Sequence, residues 1–374
     1  MRNPKHNMLP DLYHDEMARQ QFVLSLKHHI GRNLQPRNKD IYEQLAKPEF
    51  INKHGHEPQD RKQVSEVMWQ QHPYLMFSCL NRSAQEMMWD TVSEPIFREY
   101  NNLKKRSQEL RTRAAYKGSI ELNPHLDIPR GAKDISIHLQ PGTYACDLGQ
   151  DDILAGALYE GGGNLYSMGN GIGVGESKAE VLQRFLMKHY PNFRPRKILD
   201  IACSAGSNST PWATAFPHAE VHAIDVGPSM LRYAHARAES LKVTVHFHQM
   251  DAGNLTFDSN SFDLVVSHNA MHEMPQRTTE KMYIETARIL RPGGIALHQD
   301  VPLRYSERDA FGQFEGSWDL RNNNEPYWEV YATNDPQRMF EEAGFEVSSI
   351  WVGKYAQLDK SISWFVCCAQ KPSV

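Results

Sequence analysis

From Arg196 to the C-terminus the chain alternates short apolar runs with amphipathic stretches, and few folds accept that order. KILDIAC, EVHAID, VTVHFHQMD, FDLVVSH, GGIALHQDV, FEVSSIWV and SISWFVCCAQ have the length and composition of strands. Between them STPWATAF, GPSMLRYAHARAESL, TTEKMYIETARIL and DPQRMFEEAGF carry apolar residues at helical spacing. Helices alternating with strands cover both faces of a parallel sheet, so an α/β fold with a seven-stranded doubly wound sheet is expected. Only GKYAQLDK separates the last two strands, too short for a crossover helix, which predicts an antiparallel last strand at one edge.

The first 165 residues read differently. Residues 10–30 and 59–115 have helical patterning, with an interruption expected at Pro73. A stretch holding Pro124, Pro129 and Pro141 follows, in which DISIHL reads as a short strand. Residues 159–177, YEGGGNLYSMGNGIGVGES, are the most glycine-dense in the chain. They read as a mobile connector or lid, or as a plain linker. The expected division is a mainly helical substrate-covering or dimerisation domain over 1–165 and a ligand-binding domain over 166–374.

Composition narrows the function classes. No apolar run approaches the ~18 residues of a membrane helix. The 41 basic and 45 acidic side chains give a net charge of −4, so no overall positive field favours nucleic acid or anionic lipid. Five cysteines without paired spacing fit reduced thiols and a cytoplasmic setting, with Cys367 and Cys368 in a core strand. The N-terminus lacks the apolar region of a secretory signal.

The chemistry is expected where the strands end. The first strand runs into Asp200-Ile201-Ala202-Cys203-Ser204-Ala205-Gly206, with Ala202 and Ser204 at positions where dinucleotide-binding loops have glycine. Small residues there allow backbone to approach a ligand, provided φ stays negative. The second strand ends at Asp225, 19 positions beyond Gly206, near the offset at which a carboxylate takes a ribose diol. Asp225 is equally placed to cap the helix that follows. Asp251 and Ala252 close the third strand, where a carboxylate and an amide suit the edge of an adenine.

Asp200 to Gly206, Asp225, Gln249-Met250-Asp251-Ala252, the FDLVVSHNAMHEM run and LRPGG at 290–294 together resemble the successive motifs of class I S-adenosylmethionine-dependent methyltransferases, across roughly residues 160–374. The resemblance implies S-adenosylmethionine as cofactor. It sets Asp200 and the Ala202–Gly206 backbone at the methionine end, Asp225 on the ribose, Val226 against the base, and Asp251 and Ala252 on the adenine. Tyr166, beside Tyr159, would close over the donor. Three acidic groups suit a sulfonium and an ammonium, whereas a dinucleotide would need a glycine cradle for its pyrophosphate.

Methyl transfer demands alignment and dryness more than a nucleophile. Candidate bases follow the fourth strand: His268, His272 and Glu273, with His268 also beside the donor, and His268 and His272 on one face if the segment is helical. Packing histidines are the alternative. His272-Glu273 lacks the second histidine of a zinc-protease helix, and no metal site is expected. Beyond the fifth strand, Trp318, Tyr327 and Trp328 offer aromatic area and Arg321 a guanidinium for an acidic small molecule; alternatively they pack the two units together. The expected activity is methylation of a small-molecule metabolite or natural product at oxygen, nitrogen, carbon or sulfur. The rivals are a nucleic-acid methyltransferase, disfavoured by the charge and by Asn269-Ala270-Met271-His272 in place of an Asn-Pro-Pro-aromatic tetrad, and a non-catalytic donor-binding module. No nucleic-acid or membrane partner is expected, and the aromatic N-terminal helices would suit a homodimer.

Overall fold

A computed structural model describes residues 5–113, 115–169 and 176–373. Successive residues of a strand point to opposite sheet faces, and the apolar runs sort accordingly. Leu199, Ile201, Val265 and Ala296 face one core, packed against Met282 and Tyr283 of the helix Gln276–Ile289. Ile198, Leu264, Val266 and Leu297 face the other, packed against Phe185 of the helix Lys178–His189, against Trp212, and against Leu231 of the helix Pro228–Ser240. Both faces are therefore covered, as runs without polar alternation require.

The strands are β1 (Ser119–Glu121), β2 (Lys197–Ile201), β3 (Glu220–Asp225), β4 (His246–Gln249), β5 (Phe262–His268), β6 (Leu290–Asp300), β7 (Ile350–Ala356) and β8 (Ser363–Gln370). Their order is β1-β4-β3-β2-β5-β6-β8-β7. The first six run parallel; β8 pairs antiparallel with both β6 and β7. All seven expected strands form, and the terminal hairpin is antiparallel. Strand addition reverses between β2 and β5, which sets the carboxyl ends of β2, β3, β4 and β5 around one crevice.

An eighth strand comes from the first 165 residues: β1 pairs with His246–His248 at the sheet edge. DISIHL is not that strand. It ends one short helix, Arg130–Asp134, and enters a single 3-10 turn at Ile137–Leu139. His138 and Leu139 both have positive φ, 56° and 63°, which extended backbone excludes. Pro73 does not break a helix either. It occupies the first turn of His72–Arg113, 42 residues long, where a missing N–H costs nothing.

The glycine-rich segment is only in part a connector. Residues 154–166 form a helix wedged between the long helix and Pro228–Ser240. A Cβ on Gly162 would stand 2.5 Å from the Trp89 ring, and one on Gly156 2.4 Å from Tyr233 Cβ. These glycines allow close helix contact. The rest of the expected lid, residues 170–175, lies outside the described residues.

Candidate functional site

A cleft of about 780 Å³, its open mouth included, lies beyond the carboxyl ends of β2 to β5. Its floor is Ala202, Ser204, Asp225, Val226, Asp251, Ala252 and Asn269. Ile224, Met250 and Met274 give it apolar walls, and Pro129, Ile137 and Tyr144 cover it from the N-terminal side. Its carboxylates are Asp225, Asp251 and Glu273, and no basic side chain lines it among the described residues.

The loop after β2 does not have the negative φ expected of small residues there. Ala202, Ser204 and Gly206 adopt φ of 55°, 50° and 75°. Two residues with Cβ atoms thus hold the left-handed conformation that glycine takes without cost. The turn is held from both sides. Ser204 N donates to Asp225 Oδ2 at 2.9 Å, and the Gly206 carbonyl accepts from Arg237 at 3.1 Å. Asp225 also accepts from Gly227 N at 2.9 Å, closing the turn before the helix Pro228–Ser240; it does not cap that helix, whose N-cap is Gly227 and has no side-chain cap. Each carboxylate oxygen keeps a further lone pair for a ligand hydroxyl. Burial pushes its pKa up to about 6, against the lowering effect of those two amides. Asp251 accepts from Gly253 N at 2.8 Å.

Not every expected residue reaches the cleft. Asp200 is buried beneath it, accepting from Ser209 Oγ at 2.6 Å, with burial pushing its pKa up to about 7. Gly206 supports the turn but is not part of the wall. His268 lies inside the fold at the end of β5. Trp212 Nε1 donates to its Nε2 at 3.0 Å, which leaves Nδ1 as donor to Gln299 Oε1 at 3.2 Å. Both ring nitrogens are used and burial pushes its pKa down to about 3, so His268 is a neutral packing residue rather than a base or a donor contact. His268 and His272 share no face, because one is in a strand and the other in the 3-10 turn Met271–Glu273.

His272 belongs instead to a buried ionisable cluster. Its Nδ1 contacts Asp300 Oδ1 at 2.5 Å, and the same carboxylate accepts from Met271 N at 2.8 Å. His138 Nε2 contacts Glu273 Oε1 at 2.8 Å, its Nδ1 meets Glu325, and the Tyr166 hydroxyl stands 2.9 Å from that Nδ1. Tyr144 donates to Glu273 at 3.0 Å. Burial opposes charge on these imidazoles. The facing carboxylates outweigh it and push His138 up to about 10 and His272 up to about 9. Tyr166 therefore sits at this cluster and not against the adenosyl end of the cleft.

The residues expected to hold an acceptor divide. Trp328 packs edge-on to His272, ring centres 5.3 Å apart, and with Asp319, Val301 and Leu303 lines a second cleft on the far side of the cluster. Tyr327 backs the first cleft, its hydroxyl 2.5 Å from where a Gly131 Cβ would stand. Trp318 donates to Ser78 Oγ at 2.9 Å, and Arg321 is exposed with its guanidinium over Trp69. These two join the insert to the N-terminal helices, the packing alternative. Sequence reasoning missed His138, Tyr144, Asn269, Asp319 and Glu325. The dense Pro-Gly-His-Tyr run at 129–144 was the available signal for the first two.

The residues present fit an adenosyl sulfonium compound. A carboxylate stands at the end of β3 for a diol, apolar walls flank it for a flat base, and the surroundings are acidic for a cation. Asn269 Oδ1 is buried in this wall without a hydrogen-bond partner among the described residues, an acceptor facing a ligand position.

The fold and site define an α/β protein of the doubly wound class with an acidic ligand cleft at its switch point. Residues 198–294 match the family model described as a methyltransferase domain. Among curated proteins it is similar to the phthiotriol/phenolphthiotriol dimycocerosates methyltransferase of Mycobacterium leprae, 29% identical over 29% of this chain and 39% of that one. It is also similar to the fatty-acid O-methyltransferase of Mycolicibacterium smegmatis, 26% identical over 36% and 50%. The malonyl-[acyl-carrier protein] O-methyltransferase of Hahella chejuensis is 28% identical over 48% and 54%. The chain spans about half the length of these relatives or less. Among solved structures, a phosphoethanolamine N-methyltransferase 2 of Haemonchus contortus is 19% identical, with a TM-score of 0.39 over 51% of this chain and 52% of that one. No helix among the described residues is long and apolar enough to cross a membrane.

Proposed function

We propose that the whole chain transfers a methyl group from S-adenosylmethionine to a small-molecule acceptor. The observation that carries this reading is Asp225, exposed to an acidic cleft without basic side chains at the sheet's switch point. S-adenosylmethionine supplies an electrophilic methyl group when bound. Asp225 would hold the ribose, Val226, Asp251 and Ala252 the base, and Asn269 Oδ1 the part of the donor beside β5. Glu273, common to this cleft and to the ionisable cluster, marks the end at which donor and acceptor would meet. Trp328 and Asp319 would receive the acceptor from the second cleft, while Tyr166 and His138 border it from the N-terminal side.

Catalysis on this reading is mainly alignment in a site closed to water, an effect worth ~7–11 kcal/mol of barrier when geometry is fully organised. The relatives' printed names, a fatty acid, an acyl-carrier malonyl group and a phthiotriol among them, favour a small acceptor over nucleic acid. The test is incubation with methyl-labelled donor and a panel of small hydroxy, carboxylic, amino and thiol compounds beside RNA. Label in a small molecule is expected. Label in RNA alone, or in nothing despite donor binding, would replace this reading with one of its rivals.

A further inference from the structure

We propose that His138, His272 and Glu325 form a binding site for one first-row divalent transition-metal ion between the two clefts. One nitrogen from each imidazole and one oxygen of Glu325 lie within 4.8 Å of one another. Ligands held ~2.0–2.2 Å from a shared ion are reached from that spread by small side-chain movements. The three come from different parts of the chain: a 3-10 turn in the N-terminal region, the turn after β5, and the insert after β6. No local spacing could have announced them.

Three features separate this cluster from an ordinary buried ion pair. His272 has Nδ1 on Asp300 at 2.5 Å, and Asp300 is itself held by the Met271 amide. That carboxylate–imidazole arrangement leaves Nε2 as the ligating atom and fixes the ring. Glu325 is 1% exposed in its side chain, and its Oε2 has no hydrogen-bond partner among the described residues. A buried carboxylate oxygen left so is costly unless a cation completes it. Finally, Glu273, Asp300, Asp319 and Glu325 gather around the two imidazoles, with the ammonium groups of Lys178 and Lys27 beside them, a carboxylate-rich surrounding that suits a bound cation.

His138 holds its place in a left-handed backbone conformation, φ 56°, which costs about 1–3 kcal/mol and is retained where surroundings demand it. His138 and Glu273 keep 16% and 17% side-chain exposure, so the site opens toward the first cleft, while Asp319 connects it to the second. Two imidazoles with a carboxylate select zinc, iron(II), cobalt or nickel over magnesium or calcium. The ion would stand beside any acceptor entering from the second cleft and would favour the deprotonated form of a hydroxyl or thiol bound to it. Metal binding itself does not rest on the methyltransferase reading.

The full-length protein, stripped with chelator, is dialysed against zinc with metal content read by mass spectrometry, and titrated with cobalt(II) followed by visible absorption. One equivalent is expected, with cobalt bands of a nitrogen-oxygen site. Glu325→Gln and His138→Gln should each weaken binding about 10- to 100-fold without changing the circular dichroism of the metal-free protein. Should His138→Gln fail to fold, the near-isosteric Glu325→Gln decides alone. Less than half an equivalent bound by wild type, or equal affinity in wild type and Glu325→Gln, would overturn the proposal; the latter would place the ion elsewhere.

Discussion

Asp225 does two jobs at once: both its oxygens accept backbone amides that shape the loops on either side, and both face the cleft. Its pKa, pushed up to about 6 by burial, gives it a titration that ligand binding must report. Only the ionised form accepts from two hydroxyls. Affinity for S-adenosylhomocysteine should be constant above about pH 7 and fall as pH drops through about 6. Asp225→Asn should bind about 10- to 100-fold more weakly, the loss of charge-assisted hydrogen bonds, and should lack this pH dependence. Calorimetry across the range measures both. Ala202 poses the converse case, a backbone problem. At φ 55° its Cβ is unfavourable, so Ala202→Gly should leave stability unchanged or raise it by up to about 1 kcal/mol, relief of strain being partly offset by chain entropy. Ala202→Val should destabilise by about 2 kcal/mol or more. Urea unfolding of the two variants compares them. Asp225 was legible because spacing along a strand–turn–helix carries its position. The sign of φ at Ala202 was not, since the loop that holds it is anchored at Ser204 and Gly206 by Asp225 and Arg237, which lie far along the chain.

At the scale of elements, the helix Leu154–Tyr166 is tied to the loop after β2 by a buried network. Glu160 Oε1 receives Arg237 Nε at 2.9 Å, and Arg237 reaches on to Thr210 Oγ1 at 2.7 Å; His6 Nε2 lies 3.0 Å from Glu160 Oε2. Burial works against the Glu160 carboxylate, but Arg237 and His6 hold it down to about 2. A depressed carboxylate stabilises the fold above its unfolded value, and that contribution fades as pH falls from about 4.5 through about 2. Glu160→Gln leaves Arg237 buried against a neutral partner and should cost about 3–5 kcal/mol at neutral pH. It should also flatten the acid limb of the stability curve, as urea titrations between about pH 3 and 7 would show. This helix was misread in the sequence as a connector because glycine was taken as freedom. Gly156 and Gly162 instead serve closeness, against Tyr233 and Trp89, and a single sequence does not distinguish those uses. The central strands β2 and β5 and the strand β8 were legible for the opposite reason: they are buried on both faces, so their apolar runs are nearly uninterrupted; the edge strand β7, only partly buried, was placed by its short connection to β8.

Across the whole molecule, the site is assembled from two kinds of information. The floor of the cleft comes from consecutive strand ends, whose order follows from parallel topology and was therefore readable. Its cover comes from residues 129–144, and the far wall of the ionisable cluster from the insert carrying Asp319, Glu325 and Trp328, distances in sequence that no periodicity spans. The N-terminal part contributes to the same sheet and to the site, since β1 extends the sheet and His138 closes on Glu273. The most direct measurement is calorimetric titration of the full-length folded protein with S-adenosylhomocysteine. The account predicts one molecule bound per chain, with the interaction weakened by Asp225→Asn; absence of binding to folded protein, or binding untouched by that substitution, would contradict it.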